Sequence, residues 1–310
     1  METIVARIEI DWLETFIAVA EQSSFSQASR FVHRSQSRIS AQIAELELAL
    51  GAVLFDRRHR PIELTDAGET FLDYARTSMR EIAHGSDAVA SLTGVLRGRV
   101  VLGCHASISA GFLPNLLKQF TGAYPQIQVE LSEDTTAGIG DSLAAGRTHL
   151  AIRSMASNLP EGLTAQPLWR EPYAVVVRAN SPIATLPLPL SPRVLEKEEL
   201  VVIARPESGV EPDTAQVLQH WSLAPQISWR TEQPQTLANL IKAGLGTGLI
   251  NVLAMEVCET TGLEILPVGD ANDGRVLGLW RDPTRYLSSA ARALHDAILA
   301  APIPAIAIAL

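Results

Sequence analysis

SFSQASRFVHRSQSRISAQIAELELALG, residues 24–51, sets the fold of the first part of this 310-residue chain. Ser26 reads as the N-cap of a helix, with Phe25 before it as a hydrophobic staple and Ala28, Phe31 and Val32 as its buried face. Ser35 reads as the cap of a further helix that runs to about Leu50, buries Ile39, Ile43 and Leu46, and stops at Gly51. Upstream, Leu13, Phe16, Ile17 and Ala20 fall at helical spacing. Downstream, Leu54 and Phe55, then Ile62 and Leu64, flank Arg57, Arg58 and Arg60 as two short strands would, and Thr65 caps a fourth helix. Two helices joined by a tight turn and followed by a basic wing suit a helix laid in a DNA major groove, with arginines on the phosphates.

Charge narrows that expectation. The chain carries a net charge of −9, and residues 1–65 hold seven arginines against nine acids. A nucleic-acid footprint is therefore a small arginine patch between Arg30 and Arg60 on an acidic protein, and sequence preference must come from base contacts more than from bulk attraction. Apolar residues at 47% and charged residues at 19% indicate a globular protein with a sizeable core, and the length suits about two domains. Cys104 and Cys258 make no disulfide framework and lack metal-ligand spacing, the histidines are scattered, and neither a metal nor a cofactor is expected. The N-terminus has no secretory h-region, and the apolar C-terminal run from Ala297 is broken by Pro302 and Pro304, so a docked or frayed tail is expected and no membrane span. A cytoplasmic location fits.

After the wing, Phe71, Ala75, Ser78, Ile82, Gly85, Val89, Leu92 and Leu96 alternate steps of four and three, the seam of a coiled coil between two copies. From Arg99 the texture changes. VVLGC (100–104), QVELSE (128–133), HLAIR (149–153), YAVVVR (173–178) and LVVIAR (200–205) are strand-like, helical patterns at 112–120 and 139–145 lie between them, and 181–192 is a Pro-rich loop. That alternation predicts α/β units with largely parallel sheets.

SFSQASRFVHRSQSRIS resembles the Ser-Phe-Thr-x-Ala-Ala-x-x-Leu-x-x-Ser-Gln-x-x-x-Ser motif of the LysR-type transcriptional regulators. Leu54-Phe55-Asp56-Arg57 and Leu64-Thr65-Asp66-Ala67-Gly68 are similar to that family's Leu-Phe-x-Arg and Leu-Thr-x-x-Gly, and IKAGLGTGLI (241–250) to its Ala-Gly-Leu-Gly segment. The chain departs from the pattern at Arg34, a turn position that is usually apolar. Further departures are Ser37 and Arg38, in place of Pro-Ala, Ala41, His149 and Asn251. The resemblance implies an α/β chain overall: an N-terminal winged helix-turn-helix (1–68), a linker and dimerisation helix (69–97), and an α/β effector domain of periplasmic-binding-protein type (98–310). The last has two subdomains, 98–168 with 268–310, and 169–267, with a small-molecule effector in the cleft between them. The expected partners are double-stranded DNA, the effector, and further copies in a homodimer or homotetramer. The rival expectation is a solute-binding protein or enzyme of the same fold with an inert N-terminal unit.

Side chains near the start of a recognition helix reach base edges, which makes Ser35, Gln36, Ser37, Arg38, Ser40 and Gln42 the DNA candidates, with Arg57, Arg58 and Arg60 on the backbone and His59 assisting. Arg38 can pair with guanine, which the usual small residue there could not do. One of the wing arginines can instead pair with Asp56. For an anionic or polar effector the candidates are Ser107 and Thr136, which match family positions, with His105, Thr135, Arg205 and Ser208 around them. Cys104 and His105 invite a nucleophile reading, but neighbours on a strand point to opposite faces, so no enzyme is expected. Gly244-x-Gly246-x-Gly248 follows a helix and fails as a dinucleotide loop.

Overall fold

The computed structural model describes residues 8–58, 61–91, 96–156, 162–205 and 209–310. Two compact units divide the chain, residues 1–89 and 90–310.

The first unit holds helices α1 (Ile10–Gln22), α2 (Phe25–Phe31) and α3 (Gln36–Leu50), an antiparallel pair β1 (Phe55–Asp56) and β2 (Glu63–Leu64), and the start of α4 (Asp66–Ser91). Ser35 caps α3, its hydroxyl accepting from the Arg38 amide, and Gly51 ends that helix in the left-handed region at φ 67°. The cap of α2 is Ser24 and not Ser26: Ser24 is extended and its hydroxyl accepts from the Gln27 amide at 3.3 Å, so Phe25 is the first helical residue. That phase places Phe25, Ala28 and Val32 on one face, while Phe31 falls about 120° away at 3.6 residues per turn. Phe31 is accordingly 64% exposed, against the expectation that it is buried.

Wing and helices are fastened at two points. Glu47, on α3, accepts from the amides of Leu54 and Phe55 at 2.8 and 3.4 Å. Thr65 donates to the Val53 carbonyl at 2.7 Å and accepts from the Gly68 amide at 3.1 Å, capping α4. A Cβ on Gly68 would stand 2.1 Å from the Leu54 carbonyl oxygen, so only glycine lets α4 start against the wing. Phe16 meets Phe55 and Phe71 at ring-centroid distances of 5.3 and 5.5 Å, and Ala75 is buried in the same core. The heptad seam is thereby shortened. Phe71 and Ala75 serve the core of their own unit, and the exposed apolar side chains of α4 are Tyr74, Ile82 and Val89. Leu92 lies outside the described residues.

The second unit has two sheets of like plan. In the first, β3 (Gly98–Cys104), β4 (Ile127–Glu133) and β5 (Leu150–Ser154) are parallel, and β13 (Arg275–Arg281) runs antiparallel between β5 and β6 (Thr164–Glu171), in the order β4-β3-β5-β13-β6. In the second, β8 (Glu199–Arg205), β10 (Gln226–Thr231) and β11 (Thr247–Asn251) are parallel, and β7 (Tyr173–Arg178) runs antiparallel between β11 and β12 (Leu263–Pro267), in the order β10-β8-β11-β7-β12. A short β9 (Gly209–Val210) folds back on β8. Helices α5 (Ala106–Gly111), α6 (Leu113–Ala123), α7 (Thr136–Ala144) and α11 (Ser289–Ala300) belong to the first half; α8 (Pro212–His220), α9 (Pro234–Lys242) and α10 (Val252–Glu256) lie in the second-half sequence. Val100–Cys104 and Tyr173–Val177 are buried throughout, as strands inside mixed sheets covered on both faces require. The chain crosses between the halves twice, at Pro172 and through residues 268–274, so neither half is one continuous segment. The Pro-rich stretch forms two short 3-10 turns, Pro182–Thr185 and, just beyond it, Pro192–Lys197. The tail is docked: Ile308 and Arg170 exchange backbone hydrogen bonds at 2.9 Å. Among the described residues no helix is long and apolar enough to cross a membrane.

Candidate functional site

Two surfaces collect the sequence candidates. On the first unit, Ser35, Gln36, Ser37 and Arg38 are exposed at the N-terminal turn of α3 and Ser40 is half-buried, held outward because Ile39, Ile43 and Leu46 fill the core. Arg38 reaches solvent, with Asp11 Oδ2 3.5 Å from its Nη2. Gln42 is a correction. It is buried, and its Oε1 accepts from the Thr15 hydroxyl at 2.7 Å, so the amide is committed to the core and does not reach a base edge. Arg34, the unusual turn residue, is a tether: it donates to the Asp11 carbonyl, the Thr15 hydroxyl and Glu14, at 3.2, 3.1 and 2.7 Å. In the wing, Arg57 Nη2 lies 3.3 Å from Glu47 Oε2 with its guanidinium over the Phe25 ring, and Arg58 is the arginine that pairs with Asp56, through Nε at 2.9 Å. His59 and Arg60 lie outside the described residues.

The second surface is a cleft between the two halves of the second unit, lined from both. Strand ends and helix starts place its residues. His105 precedes α5, and its Nε2 lies 3.2 Å from the hydroxyl of fully buried Thr136, at the start of α7. Burial, with Arg275 and Arg153 nearby, pushes the His105 imidazole down to about 3, so it is neutral. Thr135 is the cap of α7 and accepts from the Gly138 amide. Arg205, at the end of β8, bridges the cleft: Nη2 donates to Asp134 Oδ1 at 2.7 Å and Nε to Glu232 Oε2 at 3.2 Å. Ser107 is buried and accepts from Arg275 Nη2 at 3.4 Å. Ser208 lies outside the described residues. Ser107, Thr135, Thr136, His105 and Arg205 are thus brought together.

Sequence reasoning missed the buried charges at the floor. Arg275 opens β13 opposite Glu171, the last residue of β6, and the two are joined at 2.8 and 2.9 Å. Asp213 Oδ2 stands 3.8 Å from Arg275 Nη1, and Asp213 Oδ1 accepts from the Ser154 hydroxyl across the cleft. Burial works against the Arg275 charge, but Glu171 and Asp213 outweigh it and raise its pKa. Burial raises the Glu171 carboxyl despite that partner. Burial also raises the Glu211 carboxyl, which the Thr136 hydroxyl and amide partly offset. Glu171 and Arg275 stand 104 positions apart with Asp213 between them, a separation at which no local spacing signals a site. Asp213 in the first turn of α8 reads from sequence as an ordinary dipole partner. His149 also has a local explanation: its Nδ1 accepts from the Val101 amide at 2.9 Å, just before the residues where β3 and β5 pair. Cys104 is fully buried and its thiol is pushed up to about 12, chiefly by burial, so it is no nucleophile at neutral pH.

Residues 10–69 match the family of bacterial regulatory helix-turn-helix proteins of the lysR type, and residues 93–302 match the LysR substrate binding domain. A probable RuBisCO transcriptional regulator from Synechocystis sp. is 26% identical over 300 residues, covering 94% of this chain and 85% of that protein. The crystal structure of full-length CbnR complexed with its target DNA superposes with a TM-score of 0.73 at 21% identity, over 94% of this chain and 98% of that one. A full-length single-residue variant of OxyR from Pseudomonas aeruginosa gives a TM-score of 0.70 at 19% identity, over 96% and 99%.

Proposed function

This chain belongs to the LysR family of transcriptional regulators, and from that premise we propose that it is a ligand-responsive, DNA-binding regulator whose α3 reads the operator and whose cleft takes a small-molecule effector. The observation that carries the DNA half is the exposed turn Ser35–Arg38, presented by a helix whose opposite face is locked into the core. Ser35, Gln36, Ser37, Arg38 and Ser40 face the bases, and Arg57 and Arg58 serve the phosphates beside them. The effector half rests on the cleft itself, which is crossed by the Arg205–Asp134 and Asp213–Ser154 contacts, so a ligand inserted there exchanges them for its own and biases the arrangement of the two halves. Ser107, His105, Thr135 and Arg205 are the residues it meets, and fully buried Thr136 stands behind them, its hydroxyl 3.2 Å from His105 Nε2. The role is regulatory and not catalytic, which fits a buried thiol and a neutral imidazole that do not pair. The protein works in the cytoplasm as a homodimer or homotetramer, paired through the exposed stripe of α4.

A gel shift with the DNA upstream of the protein's own gene tests the reading. A specific, salt-sensitive complex is expected, and Arg38→Ala is expected to cost about 1–3 kcal/mol on the preferred site while leaving random DNA unchanged. Equal loss on both would make Arg38 a phosphate contact. Absence of any specific complex would favour a solute-binding role.

A further inference from the structure

The charge lining the cleft runs against an anionic ligand. Glu133, Asp134, Glu211, Asp213 and Glu232 line it, with Arg205 and Arg275 as the only arginines among its described lining residues. Both arginines are already engaged, Arg205 by Asp134 and Glu232, Arg275 by Glu171 and Asp213. His105 adds no charge, because it is neutral. An incoming carboxylate would have to displace one of these carboxylates from its arginine and then lie among the rest, at a cost that grows in a partly dehydrated cleft.

Two buried polar atoms in the lining lack a hydrogen bond. Asp213 is 4% exposed and its Oδ2, 3.8 Å from Arg275 Nη1, accepts no hydrogen bond; Asn251 is 9% exposed and its Nδ2, with the Tyr173 hydroxyl beside it, donates none of good geometry. Buried polar atoms are normally satisfied, so the pair calls for an occupant. Glu211 points the same way: burial raises its carboxyl, Arg275 opposes that only weakly, and a cation at hydrogen-bond distance would relieve it.

We infer that the effector of this cleft carries a protonated nitrogen (an ammonium, amidinium or guanidinium group) seated between Glu211 and Asp213. Its N–H groups donate to Asp213 Oδ2 and to the Glu211 carboxylate, and a second polar group on the same molecule can accept from Asn251 Nδ2. Such charge-assisted bonds are short and roughly twice as strong as neutral ones. The assignment rests on the ligand-responsive reading above and adds to it the chemical class of the ligand.

Titration calorimetry on the full chain, at low salt and neutral pH, tests it with 1,4-diaminobutane, agmatine and L-arginine against succinate and benzoate, and magnesium chloride as an ionic control. At least one amine is expected to bind. Glu211→Gln and Asp213→Asn, each checked for an unchanged circular dichroism spectrum, should weaken that binding about tenfold or more, the size of a lost charge-assisted bond. Binding confined to the carboxylates, a response that magnesium chloride reproduces, affinity indifferent to Glu211→Gln, or no binding by any amine overturns the assignment. If Asp213→Asn does not fold, Glu211→Gln decides alone. A footprint on upstream DNA in the same preparation separates this from the regulatory reading. Amine binding that leaves the footprint untouched keeps the ligand class and removes the regulation. A footprint that responds only to a carboxylate does the reverse.

Discussion

Thr15 and Gln42 illustrate how one hydroxyl can organise a DNA-binding head. The Thr15 hydroxyl gives its proton to Gln42 and takes one from Arg34, so α1, the turn and α3 meet at a single oxygen. Thr15→Val keeps the shape, strands the buried Gln42 carbonyl and removes one of the three bonds of Arg34, and is expected to cost about 1–3 kcal/mol, seen as a lowered urea midpoint, with base preference unchanged. Arg34 shows why such a role escaped the sequence: an arginine at a usually apolar turn position reads only as a departure from the pattern until the acids of α1 are placed beside it. His105 carries a second expectation at this scale. Its pKa falls from 6.5 in the unfolded chain to about 3 in the native cleft, so through that window the unfolded chain holds a proton that the native protein refuses. Stability from this group is therefore complete above the unfolded pKa and falls as pH drops from 6.5 toward 3. Glu171 and Glu211, whose pKa values are raised, act in the opposite sense, because the native state holds their protons more tightly. His105→Gln should flatten the acid limb of the melting temperature plotted against pH, and a limb as steep as the parent's would contradict the assignment.

At the scale of elements, α4 has two employments. Its first three turns pack Phe71 and Ala75 into the head, while Tyr74, Ile82 and Val89 along it face solvent. An exposed apolar stripe on a helix suits pairing with a second copy. Ile82→Asp is expected to shift the protein to monomer in sedimentation velocity at about micromolar concentration while both units keep their melting transitions. The helices of the head were legible in the sequence because their signals are local: Ser35 and Gly51 bracket α3 within sixteen residues of each other. The cleft was half legible. Strand ends pointed to Ser107 and Thr136, but Glu171, Asp213 and Arg275 come from three segments whose meeting depends on the double crossover. Local propensity gives no access to that, and the burial which perturbs these groups exists only after folding. Phe31 failed for a smaller reason: Phe25, read as lying before α2, is its first helical residue, and the buried face centres on Phe25 and Ala28 and leaves Phe31 outside.

Across the whole molecule the net charge of −9 limits how the protein can hold DNA. Arg34 is tied to carboxylates, and Arg57 and Arg58 reach a phosphate only by giving up Glu47 or Asp56, so few counterions are replaced per head. For a dimer the slope of log affinity against log salt is expected to have a magnitude below about 5, since each neutralised phosphate contributes about 0.9. A slope near 10, measured by fluorescence anisotropy on the upstream site, would show that far more of the surface is engaged.

The second crossover also orders events in time. Strand β13 lies inside the first sheet, between β5 and β6, yet comes from residues 275–281, and Ile308 closes on Arg170 later still. During synthesis the contiguous head is finished while that sheet still lacks this interior antiparallel strand. A ribosome that stops early, or a nonsense codon before β13, therefore yields a chain with the means to occupy an operator and no completed half to receive a signal, which makes late truncations candidates for dominance over the full-length protein.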